Sequence, residues 1–215
     1  MRWRRDHGHP PDVVLVHGFE GMAAKDCREL APLADRLRRS ARRGVTVVGF
    51  YAGDTHAEVT LPGEPATTDT SLDDIGARLA AHLTTRVPTA PVDLVGHSMG
   101  GLVIQAALQR LPAGSVRRVV ALGTPFAGLP SAIGCDVQQC LEMQPGSAWL
   151  AASRAQGWRV DLAIGSECDQ DVPISSSLQV DAPQRVWVPA KRKIDHGALV
   201  TDAALARLVA QALAA

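Results

Sequence analysis

An α/β fold of about six mostly parallel strands with helices on both faces is predicted by three observations. Short β-branched runs alternate along the chain with Ala/Leu-rich stretches in which leucine recurs at helical spacing. Only 4% of the residues are aromatic while Gly 19 and Pro 14 supply turns, a balance that suits short strands joined to helices better than a sandwich or a disordered chain. No repeat or linker interrupts the pattern, and 215 residues at 46% hydrophobic content suffice for one core. Residues 12–215 are therefore expected to form a single domain, preceded by a flexible N-terminus at residues 1–11.

Asp12 to Val16 reads as a buried strand ending at the turn His17-Gly18. Leu30, Leu33 and Leu37 then mark a helix, with Asp26 and Glu29 near its start and Arg38, Arg39, Arg42 and Arg43 at its end before Gly44, as the helix dipole favours. Val45 to Phe50 is the second strand, and Tyr51 to Thr70 a polar loop. Ser71-Leu72-Asp73-Asp74 caps a helix with Leu72, Ile75, Leu79 and Leu83 on one face, closed by Pro88. Val92 to Val95 is a strand, followed by Gly96-His97-Ser98-Met99-Gly100-Gly101 and a helix through Leu111 that stops at Pro112. Val116 to Leu122 is the next strand. An irregular segment from Gly123 to Gly157, a strand from Trp158 to Ile164, a loop from Gly165 to Gln184 and a strand from Arg185 to Val188 follow. A closing helix from near Thr201 carries Leu205, Leu208, Val209 and Leu213.

Lys+Arg 22 balance Asp+Glu 22, so nothing global draws the chain to nucleic acid or to an anionic surface. No apolar stretch is long enough to serve as an integral membrane segment, Val119 to Gly134 being broken by Pro125 and Pro130. The basic start Met1 to Arg5 lacks the apolar segment of a signal peptide, which points to a cytoplasmic protein as the chain stands, or a secreted one if a leader was removed. Cys27, Cys135, Cys140 and Cys168 lack zinc-site spacing. Cys135 and Cys140 are close enough to staple a loop; four reduced thiols are the alternative.

The chemistry centres on Gly96-His97-Ser98-Met99-Gly100. Between a buried strand and a helix, G-x-S-x-G holds its serine in a strained turn above the sheet edge, over a helix N-terminus. A serine hydroxyl needs an adjacent base, and the base a carboxylate to hold its tautomer. His196, in Ile194-Asp195-His196-Gly197, is the sole histidine after Ser98 and is the base by elimination. The acid is expected on the loop after the Trp158 to Ile164 strand, where Glu167, Asp169 and Asp171 are candidates. Asp169 is favoured over Asp171, because the turn before Val172-Pro173 aims the earlier carboxylate inward. Asp161 lies within a strand and Asp195 adjoins the base, so neither is well placed. A tetrahedral intermediate needs two N–H donors, each worth about 3 kcal/mol. The Met99 amide supplies one, and the turn His17-Gly18-Phe19-Glu20-Gly21 the other through Phe19. His17 has no partner at metal-ligand spacing and reads as a turn-stabilising residue; His7 and His9 read as unstructured.

These residues resemble the α/β-hydrolase fold family, and within it the small bacterial lipases and esterases. The resemblance rests on His17-Gly18, Gly96 to Gly101, Leu122-Gly123-Thr124-Pro125, Asp169 to Pro173 and His196-Gly197, and runs from Asp12 to the final helix. Asp169-Gln170-Asp171-Val172-Pro173 is similar to that family's D-x-x-V-P acid loop, which independently supports Asp169. Cys140 to Ser147 resembles the Met-Pro-Gly-Ser stretch of secreted lipases. The chain departs from larger relatives in lacking two initial strands and a full cap domain.

The expected protein is thus a minimal α/β-hydrolase fold that cleaves carboxylic esters of small molecules or lipids without metal or organic cofactor. Phe126, Leu129 and Met143, with Phe19 and Met99, are candidate walls of an acyl pocket. One alternative is a thioesterase, acyltransferase or cyclase acting on acyl chains borne by a carrier protein. Another is a non-catalytic binding protein on the same fold.

Overall fold

The computed structural model describes residues 12–19, 27–41, 44–86 and 91–215. The expected flexible segment 1–11 with His7 and His9, the Glu20-Gly21 half of the first turn, Asp26, Arg42, Arg43 and Pro88 lie outside the described residues.

Strand β1 (Val13–Val16) is four consecutive buried aliphatics whose side chains alternate between two cores. Val14 and Val16 face one layer, Val13 and Leu15 the other, as the two-residue period of a strand buried on both faces requires. A 3₁₀ turn at Cys27–Leu30 leads into α1 (Ala31–Ala41), which buries Leu33 and Leu37 on the second layer. Strand β2 (Val45–Gly49) pairs parallel with β1. The expected loop 51–70 holds a further two-residue strand, β3 (Val59–Thr60), so the sheet has seven strands rather than about six. Backbone bonds set its register, Glu58 N–H to Val47 O at 2.9 Å and Leu61 N–H to Gly49 O at 2.8 Å, and two residues leave no hydrophobic period to read.

Helix α2 (Leu72–Arg86) packs Leu72, Ile75 and Leu79 on the first layer. Strand β4 (Val92–His97) is buried throughout and feeds α3 (Gly100–Leu108), which ends three residues before the expected Leu111. Strand β5 (Val116–Leu122) follows. The segment expected to be irregular, 123–157, contains α4 (Gln138–Met143) and α5 (Ala148–Ala155). Six and eight residues are too few for a clear period; Ser147 caps α5 by accepting from Leu150 N–H at 3.2 Å. Cys135 and Cys140 are disulfide-bonded, Cα atoms 5.8 Å apart, while Cys27 and Cys168 lie outside any disulfide. Helix α4 grips the chain ahead of α2. Gln139, fully buried, donates to the Thr67 and Thr70 carbonyls and accepts from the Tyr51 hydroxyl, and Glu142 accepts the Leu72 N–H at 2.7 Å.

Strand β6 (Leu162–Ser166) begins four residues later than expected. Arg159 is bound instead to the Gln105 side chain of α3, which accepts its N–H and donates to its carbonyl, both at 3.0 Å. The loop after β6 includes the single turn α6 (Ile174–Ser177), and β7 (Gln184–Val188) ends the sheet. The closing helix is split into α7 (Ala198–Thr201) and α8 (Ala203–Ala214) by Asp202, whose carboxylate accepts from Ala204 and Leu205 N–H. All pairings are parallel, in the order β3-β2-β1-β4-β5-β6-β7. The order reverses between β1 and β4, the place where an open α/β sheet leaves a crevice at its C-terminal edge. Among the described residues no helix is long and apolar enough to cross a membrane.

Candidate active site

Val16 pairs with Gly96, so the turns leaving β1 and β4 run side by side at the reversal and bring Gly18 against Ser98. A Cβ on Gly18 would lie 2.6 Å from Ser98 Cβ and 3.0 Å from its hydroxyl oxygen. Only a glycine lets the first turn pass this close. Ser98 is half-buried and left-handed, φ +56°, a conformation that costs a non-glycine residue about 1–3 kcal/mol and persists only where the surroundings impose it. Its N–H donates to Leu122 O at 2.8 Å, which locks the turn to β5, and α3 starts two residues on. The amides of Met99, next to Ser98 in the chain, and Phe19, next to Gly18, make no hydrogen bond among the described residues.

His196 lies on the loop between β7 and α7, buried to 7% exposure. Its Nδ1 is 2.7 Å from Oδ2 of Asp169, whose side chain is fully buried. The other carboxylate oxygen of Asp169 accepts the N–H groups of Asp171 at 3.0 Å and Val172 at 2.8 Å, an Asx turn that aims the carboxylate inward. Asp171 is exposed, and Glu167 is turned away to Trp187 Nε1 and Ala190 N–H. Of the three acid candidates, only Asp169 meets the imidazole. Gly123, φ +58°, floors this pair: a Cβ there would stand 3.1 Å from both Asp169 Oδ2 and His196 Cε1. Since Gly123 directly follows Leu122, the carbonyl that holds Ser98 and the floor under His196 belong to one stretch of backbone. The Ser98 hydroxyl itself makes no hydrogen bond among the described residues.

Several supporting residues escaped the sequence reading. Ser166, fully buried at the end of β6, donates to Ile194 O and accepts the Cys168 N–H, tying the loop of Asp169 to that of His196. His97 donates from Nε2 to His196 O at 3.1 Å and places Nδ1 2.7 Å from Glu29 Oε1; its ring lies 4.5 Å from that of His196. The partners of His97 are 68 and 99 residues away in the chain, so no local signal marks them. His17 contacts the Asp54 carboxylate at 2.9 Å and stacks on Phe50, ring centres 4.1 Å apart. Burial pushes the Asp54 carboxyl up, but His17 and the Tyr51 and Phe50 amides outweigh it and hold it below the usual carboxylate range.

Of the residues expected to wall a pocket, Phe126, Met99 and Met143 are buried in the first core layer, Phe126 against Trp158 with ring centres 5.0 Å apart. Leu129 and Phe19 are half-buried against the same layer. Among the described residues no group of His, Cys, Asp and Glu is arranged to hold a metal ion.

The solved structures similar in fold include lipase B of Aspergillus fumigatus, at TM-score 0.72 and 16% identity over 100% of this chain and 56% of that one. The mature form of lipase BlEst2 of Bacillus licheniformis matches at TM-score 0.60 and 20% identity, over 97% of this chain and 93% of that one. An extracellular alpha/beta-hydrolase of a Paenibacillus species matches at 0.57 and 16%, over 95% and 98%. The chain thus spans little more than half of the Aspergillus lipase and nearly all of the two bacterial proteins. No curated protein is matched by the sequence. A family profile matches residues 13–214, nearly the whole described chain, and on that match this protein belongs to the alpha/beta hydrolase family.

Proposed function

We propose that the protein is a serine hydrolase of carboxylic esters, of lipase or esterase type, acting on small-molecule or lipid esters through an acyl-enzyme. The observation that carries this reading is the buried 2.7 Å contact between His196 and Asp169, set against the strained turn that presents Ser98. Asp169 accepts the Nδ1 proton and so leaves Nε2 free as the base. Nε2 takes the Ser98 hydroxyl proton as Oγ bonds to the ester carbon. The carbonyl oxygen becomes an oxyanion held by the amides of Phe19 and Met99. Collapse breaks the ester C–O bond, and His196 returns the proton to the departing alcohol. Water repeats the sequence, releasing the acid and restoring Ser98. No metal or organic cofactor enters these steps. Lipases and an alpha/beta-hydrolase among the similar folds point the same way, and of the five candidate wall residues half-buried Leu129 and Phe19 are the two left open to meet an acyl chain.

The test is a fluorophosphonate probe with intact-mass readout. The protein should gain one label, and Ser98→Ala should gain none while its turnover of nitrophenyl esters falls about a million-fold. Labelling of Ser98→Ala, or retained turnover, refutes the assignment. Faster turnover of acyl thioesters, or transfer to an acceptor other than water, would move the protein to the thioesterase or acyltransferase reading.

A further inference from the structure

His97 is 1% exposed, and each of its ring nitrogens faces an oxygen. The His196 carbonyl has no proton to give, so the 3.1 Å contact requires a proton on Nε2. Glu29 Oε1 stands 2.7 Å from Nδ1, and one of that pair must also carry a proton. Burial raises the Glu29 carboxyl, but the hydrogen bond and charge of His97, with the charges of His17 and His196, outweigh it and set Glu29 below the usual carboxylate range. The carboxylate is then ionised at neutral pH. His97 is surrounded by few other charges. Glu29 faces it from the 3₁₀ turn before α1, and His196 faces it from the loop after β7, with Asp169 behind that ring. His17, paired to Asp54, acts on Glu29 from the end of β1.

We propose that Glu29 and His97 form a positioning pair for the base: His97, protonated on both ring nitrogens, holds the His196 main chain and keeps a fixed positive charge beside its imidazole. The proposal rests on the reading of His196 as general base. Asp169 holds the imidazole from Nδ1, and the Leu199 N–H shares the His196 carbonyl with His97 at 3.3 Å. His97 is the only side chain among these that reaches His196 from the nucleophile's own strand, so it couples the place of the base to the place of Ser98. A positive charge 4.5 Å from the His196 ring opposes that ring's protonation in the free enzyme. Removal of that charge is therefore read at the acid limb of kcat/KM.

The pair is tested by Glu29→Gln and His97→Phe, with nitrophenyl-ester kinetics across pH. In Glu29→Gln the amide donates to Nδ1, the His97 bond to His196 survives, and the positive charge is lost. The acid limb should then move up by about one pH unit, as loss of a close like charge predicts. In His97→Phe the tilted ring contact with His196 is kept and the hydrogen bond lost, so kcat should fall about a hundredfold, with KM changed far less. An acid limb that stays in place or moves down in Glu29→Gln, or full kcat in His97→Phe, overturns the proposal. Histidine 15N NMR of the unaltered protein gives a readout independent of variant folding and of activity. Both His97 nitrogens protonated at neutral pH supports the pair, and one bare nitrogen overturns it. A protein inert to esters and fluorophosphonate but with His97 doubly protonated would sink the hydrolase reading and leave the ion pair standing.

Discussion

Asp169 Oδ2 and His196 Nδ1 meet at 2.7 Å, although their residues hang on loops after two different strands, and Ser166 ties those loops together from below. Asp169 is buried with both oxygens engaged, whereas Asp171 lends it only a backbone N–H. Asp169→Asn should therefore lower kcat about ten-thousandfold, because the amide favours the wrong imidazole tautomer. Asp171→Asn should stay within a few-fold of the parent in the same ester assay. Equal losses in the two variants would remove Asp169 from the acid role.

Gly18→Ala places a methyl 2.6 Å from Ser98 Cβ, too close for either turn to keep its position. A displacement of about 1 Å at the nucleophile is enough for a hundredfold loss of kcat, with far-UV circular dichroism unchanged. A fully active Gly18→Ala would show that the β1 turn does not constrain the serine.

Asp54 is titrated below its ordinary range by His17 and two amides, so its contribution to stability has a definite sign with pH. The contribution is complete above the unfolded carboxylate value of about 3.9 and is lost as pH falls through the lower folded value. Asp54→Asn should be less stable than the parent by about 2 kcal/mol at neutral pH, with the gap narrowing below about pH 4. Urea unfolding at several pH values measures this. A gap that is constant with pH would assign the loss to packing alone.

Cys135 and Cys140 close a loop of sequence separation 5, short enough that chain entropy predicts about 2 kcal/mol of stabilisation. Replacing both by serine should lower the urea-unfolding free energy by that amount. A thiol reagent under denaturing conditions should react with two cysteines of the untreated protein, Cys27 and Cys168, the pair outside the disulfide.

The strained turn at Ser98 is legible because its signal is local: G-x-S-x-G between a buried strand and an apolar helix occupies consecutive residues. The pairing of His196 with Asp169 is also legible, since His196 is the sole histidine after Ser98 and Asp169 stands in the turn before Val172-Pro173. What the sequence hid is non-local or too short. Glu29, His97 and Ser166 act through partners on elements distant in the chain, β3 is two residues long, and α4 and α5 make barely two turns each. The strand expected from Trp158 starts only at Leu162 for another reason: Val160 is buried, but its neighbour Arg159 is bonded to Gln105 rather than into the ladder.

The hold of α4 on the residues before α2 has a thermodynamic corollary. Gln139 and Glu142 satisfy backbone groups at Thr67, Thr70 and Leu72, so lifting this arm strips partners from the opening turn of a core helix. The arm and that turn thus form one cooperative unit, whose amides should exchange with solvent deuterium together rather than in sequence.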